Sequence, residues 1–156
     1  MEKKLLTLCL VLRGGKVLLG MKKRGFGEGR WNGFGGKVEK GETIEEAARR
    51  ELKEEAGILA KKMKKQGVLR FTFEDSPKEL LEVHVFSVSS FEGRPAESGE
   101  MRPKWFKIGQ IPFAKMWPDD KIWLPLLLKK KRFEGSFHFL DNDFLLSHTL
   151  FEFSEA

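Results

Sequence analysis

Apolar and polar residues follow two rhythms along this chain. Leu5 to Leu12 and Lys16 to Met21 are β-like runs, and Gly14-Gly15 between them is a hairpin signal. Lys64 to Phe73 and Glu79 to Phe91 alternate as long strands do, with a turn at Asp75-Ser76-Pro77. Pro103 to Ile108 predicts a shorter strand, and Arg132 to Leu140 with Phe144 to Phe153 predicts a closing hairpin around Asp141-Asn142-Asp143. Lys22 to Trp31 is Gly-rich and basic, hence a loop, and Asn32 to Val38 reads as a short strand ending in Gly35-Gly36.

The helical rhythm is clearest after Thr43. Thr43 is followed three residues later by Glu46, a capping-box pattern, and Gly57 supplies the stop. Pro118 predicts the opening of a second helix that runs to the basic Lys129–Lys131 cluster, with a kink at Pro125. Together these elements predict one domain over 1–156 of the α+β class, an α/β/α sandwich of mixed sheet and two main helices.

Composition narrows the picture only a little. With 156 residues, 40% hydrophobic and 33% charged, the chain is long enough for a real core and is not a disordered or fibrous sequence. Cys9 is the one cysteine, so no internal disulfide forms, which suits a reducing compartment. Met1 to Leu12 superficially resembles a signal peptide, but Arg13 ends the apolar run and no small-residue cleavage site follows. No later stretch approaches the ~20 apolar residues of a membrane span. The expectation is a soluble, cytoplasmic, monomeric protein. Its net charge of +6 fits either simple solubility or attraction of a polyanion, and charge alone does not choose.

Chemistry enters with Glu51, Glu54 and Glu55, which helical spacing gathers on one side, beside Ile44, Ala47 and Ala48, while Arg49 and Lys53 point elsewhere. Carboxylates held this close repel unless a cation sits among them. No lysine or arginine of the helix is placed to neutralise all three, and oxygen-only ligands favour Mg²⁺ or Mn²⁺. The plain alternative is a glutamate-rich surface helix.

The preceding residues weigh against that alternative. Gly36 to Ile58 reads GKVEKGETIEEAARRELKEEAGI. It resembles the Nudix box at Gly36, Glu42, Arg50, Glu51, Leu52, Glu54, Glu55, Gly57 and Ile58, a match that chance produces in fewer than about one window in 10⁸. The resemblance implies a Nudix fold and Mg²⁺-dependent attack by water on a nucleoside diphosphate derivative. It implies that Glu51, Glu54, Glu55 and the Gly36 carbonyl hold the metal, that Arg50 and Glu42 orient the cluster, and that Glu54 and Glu55 are the candidates for the base.

Outside the box, Gly20 to Gly27, Trp31 to Lys37, Glu97 to Pro103 and Met116 to Asp120 resemble the branch of the family that hydrolyses oxidised purine nucleoside triphosphates such as 8-oxo-dGTP and 2-hydroxy-dATP. The likeness runs from the Thr7 region to Phe139. It implies a purine stacked on Trp117, with Phe26, Phe71, Phe73 and Phe139 among the walls. Asn32, Asp119 and Asp120 would read the base edge, Thr7 and Lys22 would line the pocket, and Glu100 would add a metal ligand. Phe34, Gly35, Gly36, Lys37 and Pro118 belong to the same substrate-binding segments. Leu81, where the family commonly has methionine, and the length of the Glu74–Pro77 loop depart from the pattern. Taken alone, Trp117 is more often core, and Asp119-Asp120 after Pro118 equally suits a helix start. His84, His138 and His148 show no metal-ligand spacing and are read as structural. The rivals are a Nudix hydrolase of another nucleoside diphosphate derivative and a non-catalytic nucleic-acid binder. Dispersed basic residues and the absence of an RNA-binding signature argue against the binder, so no stable nucleic-acid partner and no membrane partner are expected.

Overall fold

A strand covered on both sides must be apolar on both sides, and β1 (Glu2–Arg13) is such a strand. Leu8 and Leu10 turn to one face, Cys9 and Val11 to the other. A computed structural model describes residues 1–153. Across the Gly14-Gly15 turn, β2 (Lys16–Lys22) returns antiparallel to β1 and then pairs with β3 (Trp31–Asn32).

Helix α1 (Ile44–Ala56) has the full reciprocal cap. Thr43 Oγ1 accepts from the Glu46 amide, and Glu46 accepts from the Thr43 amide. Gly57 ends it at φ 72°, a left-handed conformation costly for any residue with a Cβ. The helix lays Ala48, Leu52 and Ala56 on the face that carries Cys9, Val11, Leu18 and Phe34.

The long antiparallel pair β4 (Leu59–Phe73) and β5 (Glu79–Glu92) follows, with β5 running parallel beside β1. β6 (Met101–Lys107) pairs with β2. Helix α2 (Asp120–Leu128) covers the opposite face, burying Trp123, Leu124 and Leu127 against Leu10, Leu69 and Phe133. β7 (Arg132–Asp141) lies parallel to β4, and β8 (Phe144–Phe153) closes the edge. The order β3-β2-β1-β5-β4-β7-β8, with β6 also on β2, makes one mixed sheet with a helix on each face. This is the α+β arrangement expected from the sequence.

β1 and β6 each extend beyond the expected runs, to Glu2 and Met101, and three further differences bear on the site. β4 begins at Leu59 rather than Lys64, because Ala60 and Met63 pack against the α1 side despite the surrounding lysines. α2 begins at Asp120 rather than Pro118, contains Pro125, and ends three residues later at Leu128. The largest departure is Asn32 to Val38. Only Trp31–Asn32 is strand, and the rest is a strap laid along β1 through single bridges at Phe34–Cys9 and Lys37–Leu6. Its glycines permit that approach: a Cβ on Gly35 would lie 1.8 Å from the Thr7 carbonyl oxygen.

Candidate active site

The strap and α1 meet at the glutamates. The Gly35 amide donates to Glu55 Oε1 at 2.8 Å, and Gly36 lies so close to Glu51 that an added Cβ would stand 2.7 Å from its carboxyl carbon. The three carboxylates therefore have different environments. Glu55 is only 7% exposed, Glu51 is half-buried, and Glu54 is open to solvent.

Arg50 organises the remainder. Its guanidinium forms a two-pronged pair with Glu42 at 2.6 and 3.0 Å and donates to Glu51 at 2.8 Å, to Glu54 at 3.3 Å and to the Lys37 carbonyl at 3.0 Å. As expected, no cation of the helix serves all three glutamates: Arg50 reaches Glu51 and Glu54 but not Glu55. That pairing holds the Glu42 carboxyl down at about 2, chiefly through the Arg50 hydrogen bonds. Glu55 is pushed the other way, to about 7, first by burial and further by the charges of Glu51 and Glu100, while the Gly35 amide opposes the rise.

Beside this cluster a cavity of about 280 Å³ opens on the α2 side of the strap. Its walls are apolar: Leu69, Phe71 and Phe73 of β4, Leu81 and Val83 of β5, and Phe139 of β7 recur at every second residue and so share one face. Its polar groups are few, namely Thr7, Lys22, Asn32, Asp119, Asp120 and Glu55. Few polar groups on an apolar wall suit a flat organic ligand with one hydrogen-bonding edge. Thr7 Oγ1 is turned to the Gly36 carbonyl at 3.4 Å. Trp117 packs against Phe26, with centroids 4.9 Å apart, and edge-on to Phe139.

Asp119 and Asp120 are each 3% exposed. Asp119 Oδ2 accepts from Trp123 Nε1 at 2.7 Å, whereas Asp120 Oδ2 is buried with no partner among the described residues. Asp119 forms no side-chain cap on α2, so helix initiation does not explain it. Burial raises both carboxyls, and Asp120 rises further because the charge of Asp119 adds to its own burial.

A family model described as the NUDIX domain matches residues 3–127. The chain belongs to the Nudix family. An oxidized purine nucleoside triphosphate hydrolase of Danio rerio is 58% identical over 149 residues, 96% of this chain and 95% of that protein. One of Mus musculus is equally identical over the same shares. The crystal structure of a MutT protein from Bacillus halodurans superposes with a TM-score of 0.85 at 31% identity, covering 94% of this chain and 97% of that one.

Around this Nudix box the structure gathers most of the residues singled out from the sequence, but not all. Thr7, Lys22, Phe26, Asn32, Gly35, Gly36, Phe71, Phe73, Trp117, Asp119, Asp120 and Phe139 line the cavity together with Glu55. Phe34 does not: it is fully buried on the α1 side, among Cys9, Leu52 and Ala56. Lys37 is exposed beyond the rim, and Pro118 faces a shallow groove beside Phe144 and Leu146. Phe26 reaches the cavity from outside and stays 62% exposed. Sequence reading missed the apolar liners Leu6, Leu8, Leu69, Val83 and Trp123; the alternation of β4 and β5 would have found Leu69 and Val83. The histidines are occupied by neighbours, His84 by Glu82, His138 by Thr72 and Glu74, and His148 by stacking on Phe137.

A divalent cation, which Nudix hydrolases need, suits the donors present. Glu51, Glu55 and the outlying Glu100 offer oxygens alone, and like charges around a buried carboxyl are relieved by a cation. As they stand, no three acidic, histidine or cysteine side chains among the described residues converge on one point. Arg50 holds Glu51 and Glu54, and Lys22 with Arg24 holds Glu100 at 2.9 and 3.2 Å.

Proposed function

We propose that this protein hydrolyses oxidised purine nucleoside triphosphates, 8-oxo-dGTP and 2-hydroxy-dATP among them, to the monophosphate and pyrophosphate with Mg²⁺ as the ion. Such hydrolysis would remove damaged nucleotides before they enter DNA. The observation that carries this reading is the unpartnered Asp120 Oδ2 beside Asp119, inside an apolar cavity that ends at the Glu55 carboxyl. A purine fits the apolar end, and its triphosphate leads towards the glutamates. The naming of the zebrafish and mouse relatives as oxidized purine nucleoside triphosphate hydrolases supports the same substrate class.

Each part of the site then has a task. Trp117 offers its indole for stacking, worth ~1–3 kcal/mol per base. Asp119 Oδ2 already accepts from Trp123 while Asp120 Oδ2 is unclaimed, so a proton shared by the two carboxyls would present one acceptor and one donor to the base edge. Moving that proton between the two would let one site read an oxidised guanine and an oxidised adenine. Lys22, which lines the cavity and pairs with Glu100, would meet phosphate charge. Glu51, Glu54, Glu55, Glu100 and the Gly36 carbonyl would hold the metal, which supplies charge neutralisation on phosphate oxygens and a more acidic water. Glu55, its proton affinity raised towards neutrality, is suited to take a proton from water at Oε2, the oxygen not engaged by Gly35.

Pyrophosphate release from 8-oxo-dGTP, with and without Mg²⁺, tests this directly. Release should require the ion and fall at least about a hundred-fold in Glu55→Gln. Release of pyrophosphate that ignores both the ion and the variant would overturn the reading.

A further inference from the structure

Arg30 lies outside the cavity wall yet touches what shapes it. Its guanidinium carbon stands 4.3 Å from the centroid of Trp117, so the cation covers one face of the indole. The same group donates through Nη1 to the Asn142 carbonyl at 2.7 Å and through Nη2 to the Asp143 carboxylate. Asp143 is itself fixed, its amide donating to Asp141 Oδ1 at 2.8 Å across the tip of the β7–β8 turn. One side chain thus ties the loop before the strap, the aromatic platform and the far hairpin together.

We infer that Arg30 is a positioning residue for base recognition: a tether by which the β7–β8 turn fixes the plane of Trp117. The inference rests on the purine reading of the cavity. The cation at 4.3 Å and the Phe26 ring at 4.9 Å together hold the indole in place, and an indole so held loses less freedom when a base arrives. The fork geometry matters, because a planar guanidinium can stack on the ring while its edge donates two hydrogen bonds. Lysine can supply the charge but not that combination. Arg30 also lies near enough to Asp119 and Asp120 for its charge to favour their ionised forms against burial.

Steady-state hydrolysis of 8-oxo-dGTP by wild type, Arg30→Met, Arg30→Lys and Asp143→Asn tests the tether. Arg30→Met should raise KM roughly three- to thirty-fold while kcat changes less than about two-fold. Arg30→Lys should recover part of the loss. Asp143→Asn, a change at a carboxylate whose side chain is 85% exposed and so safe for folding, should shift KM the same way by a smaller factor. A merely structural role would lower the folded fraction and with it kcat, leaving KM alone, and that pattern overturns the inference. So does a wild-type KM in Asp143→Asn, which remains decisive if Arg30→Met fails to fold. A wild type that does not turn over the nucleotide would instead refute the proposed function, a separate outcome.

Discussion

The Gly35 amide and the Glu55 carboxylate are joined at 2.8 Å, across 20 residues of sequence. This bond fixes the glutamate end of the cavity, because it holds one oxygen of a buried carboxyl and leaves the other unclaimed by Gly35. Adding a methyl at Gly35 would drive it to 1.8 Å from the Thr7 carbonyl, so the strap must move. Gly35→Ala should therefore cost on the order of 1–3 kcal/mol in stability. It should reduce kcat by about a hundred-fold, since small displacements at a reacting centre are amplified. Thermal unfolding and steady-state kinetics on one preparation check both.

Glu55 makes the metal-free protein sensitive to pH. Its folded-state pKa of about 7 lies above the ordinary 4.5, so the folded form holds the proton more tightly than the unfolded chain. Stability from this group is greatest in acid, declines as pH climbs from the ordinary value through about 7, and is flat beyond. The decline amounts to about 3 kcal/mol. In the presence of a chelator, Glu55→Gln should lose this slope and be more stable than wild type at pH 8. A denaturant series at pH 5, 6, 7 and 8 measures it, and parallel profiles would contradict it.

Arg50 holds Glu42 with both prongs and touches Glu51 and Glu54 besides. Arg50→Lys keeps a charge but not the fork, and Arg50→Ala keeps neither. Activity should fall about ten- to a hundred-fold in the alanine variant, the usual effect of losing a group that orients metal ligands, with lysine in between. Titrating activity against Mg²⁺ should show a raised ion requirement in both variants. An unchanged requirement would assign Arg50 to folding alone.

Asp119 and Asp120 differ in partners, so their amides should differ in effect. Asp119→Asn places an amide where Trp123 Nε1 donates, and its NH₂ cannot accept that bond. Asp120→Asn fixes a permanent donor where a shared proton would come and go. The ratio of kcat/KM for 8-oxo-dGTP to that for 2-hydroxy-dATP should move differently in the two variants. Equal losses on both substrates in both variants would refute proton exchange as the basis of dual recognition.

Features determined by near neighbours in sequence could be read without coordinates. The α1 cap needs only Thr43, Glu46 and Gly57, and the grouping of Glu51, Glu54 and Glu55 follows from 3.6 residues per turn. The hairpins at Gly14-Gly15 and at Asp141–Asp143 were legible for the same reason, as was the alternation that builds the apolar wall. The strap was not. Asn32 to Val38 is rich in glycine, and only contact with β1 shows that its glycines are there for close approach.

Tertiary structure alone separated residues that the sequence presents as equals. Glu54 and Glu55 are adjacent and chemically identical, yet packing against the strap buries one and leaves the other in water. Phe34 sits among cavity-lining neighbours in sequence but turns to the opposite core. Asp119 and Asp120 do open α2, but Trp123 claims one carboxyl and burial isolates the other. Burial depends on contacts between residues tens of positions apart, such as Gly35 with Glu55, which local periodicity does not encode. The glutamate cluster is thus written in the chain, while the burial and proton affinity of each carboxyl arise where distant segments meet.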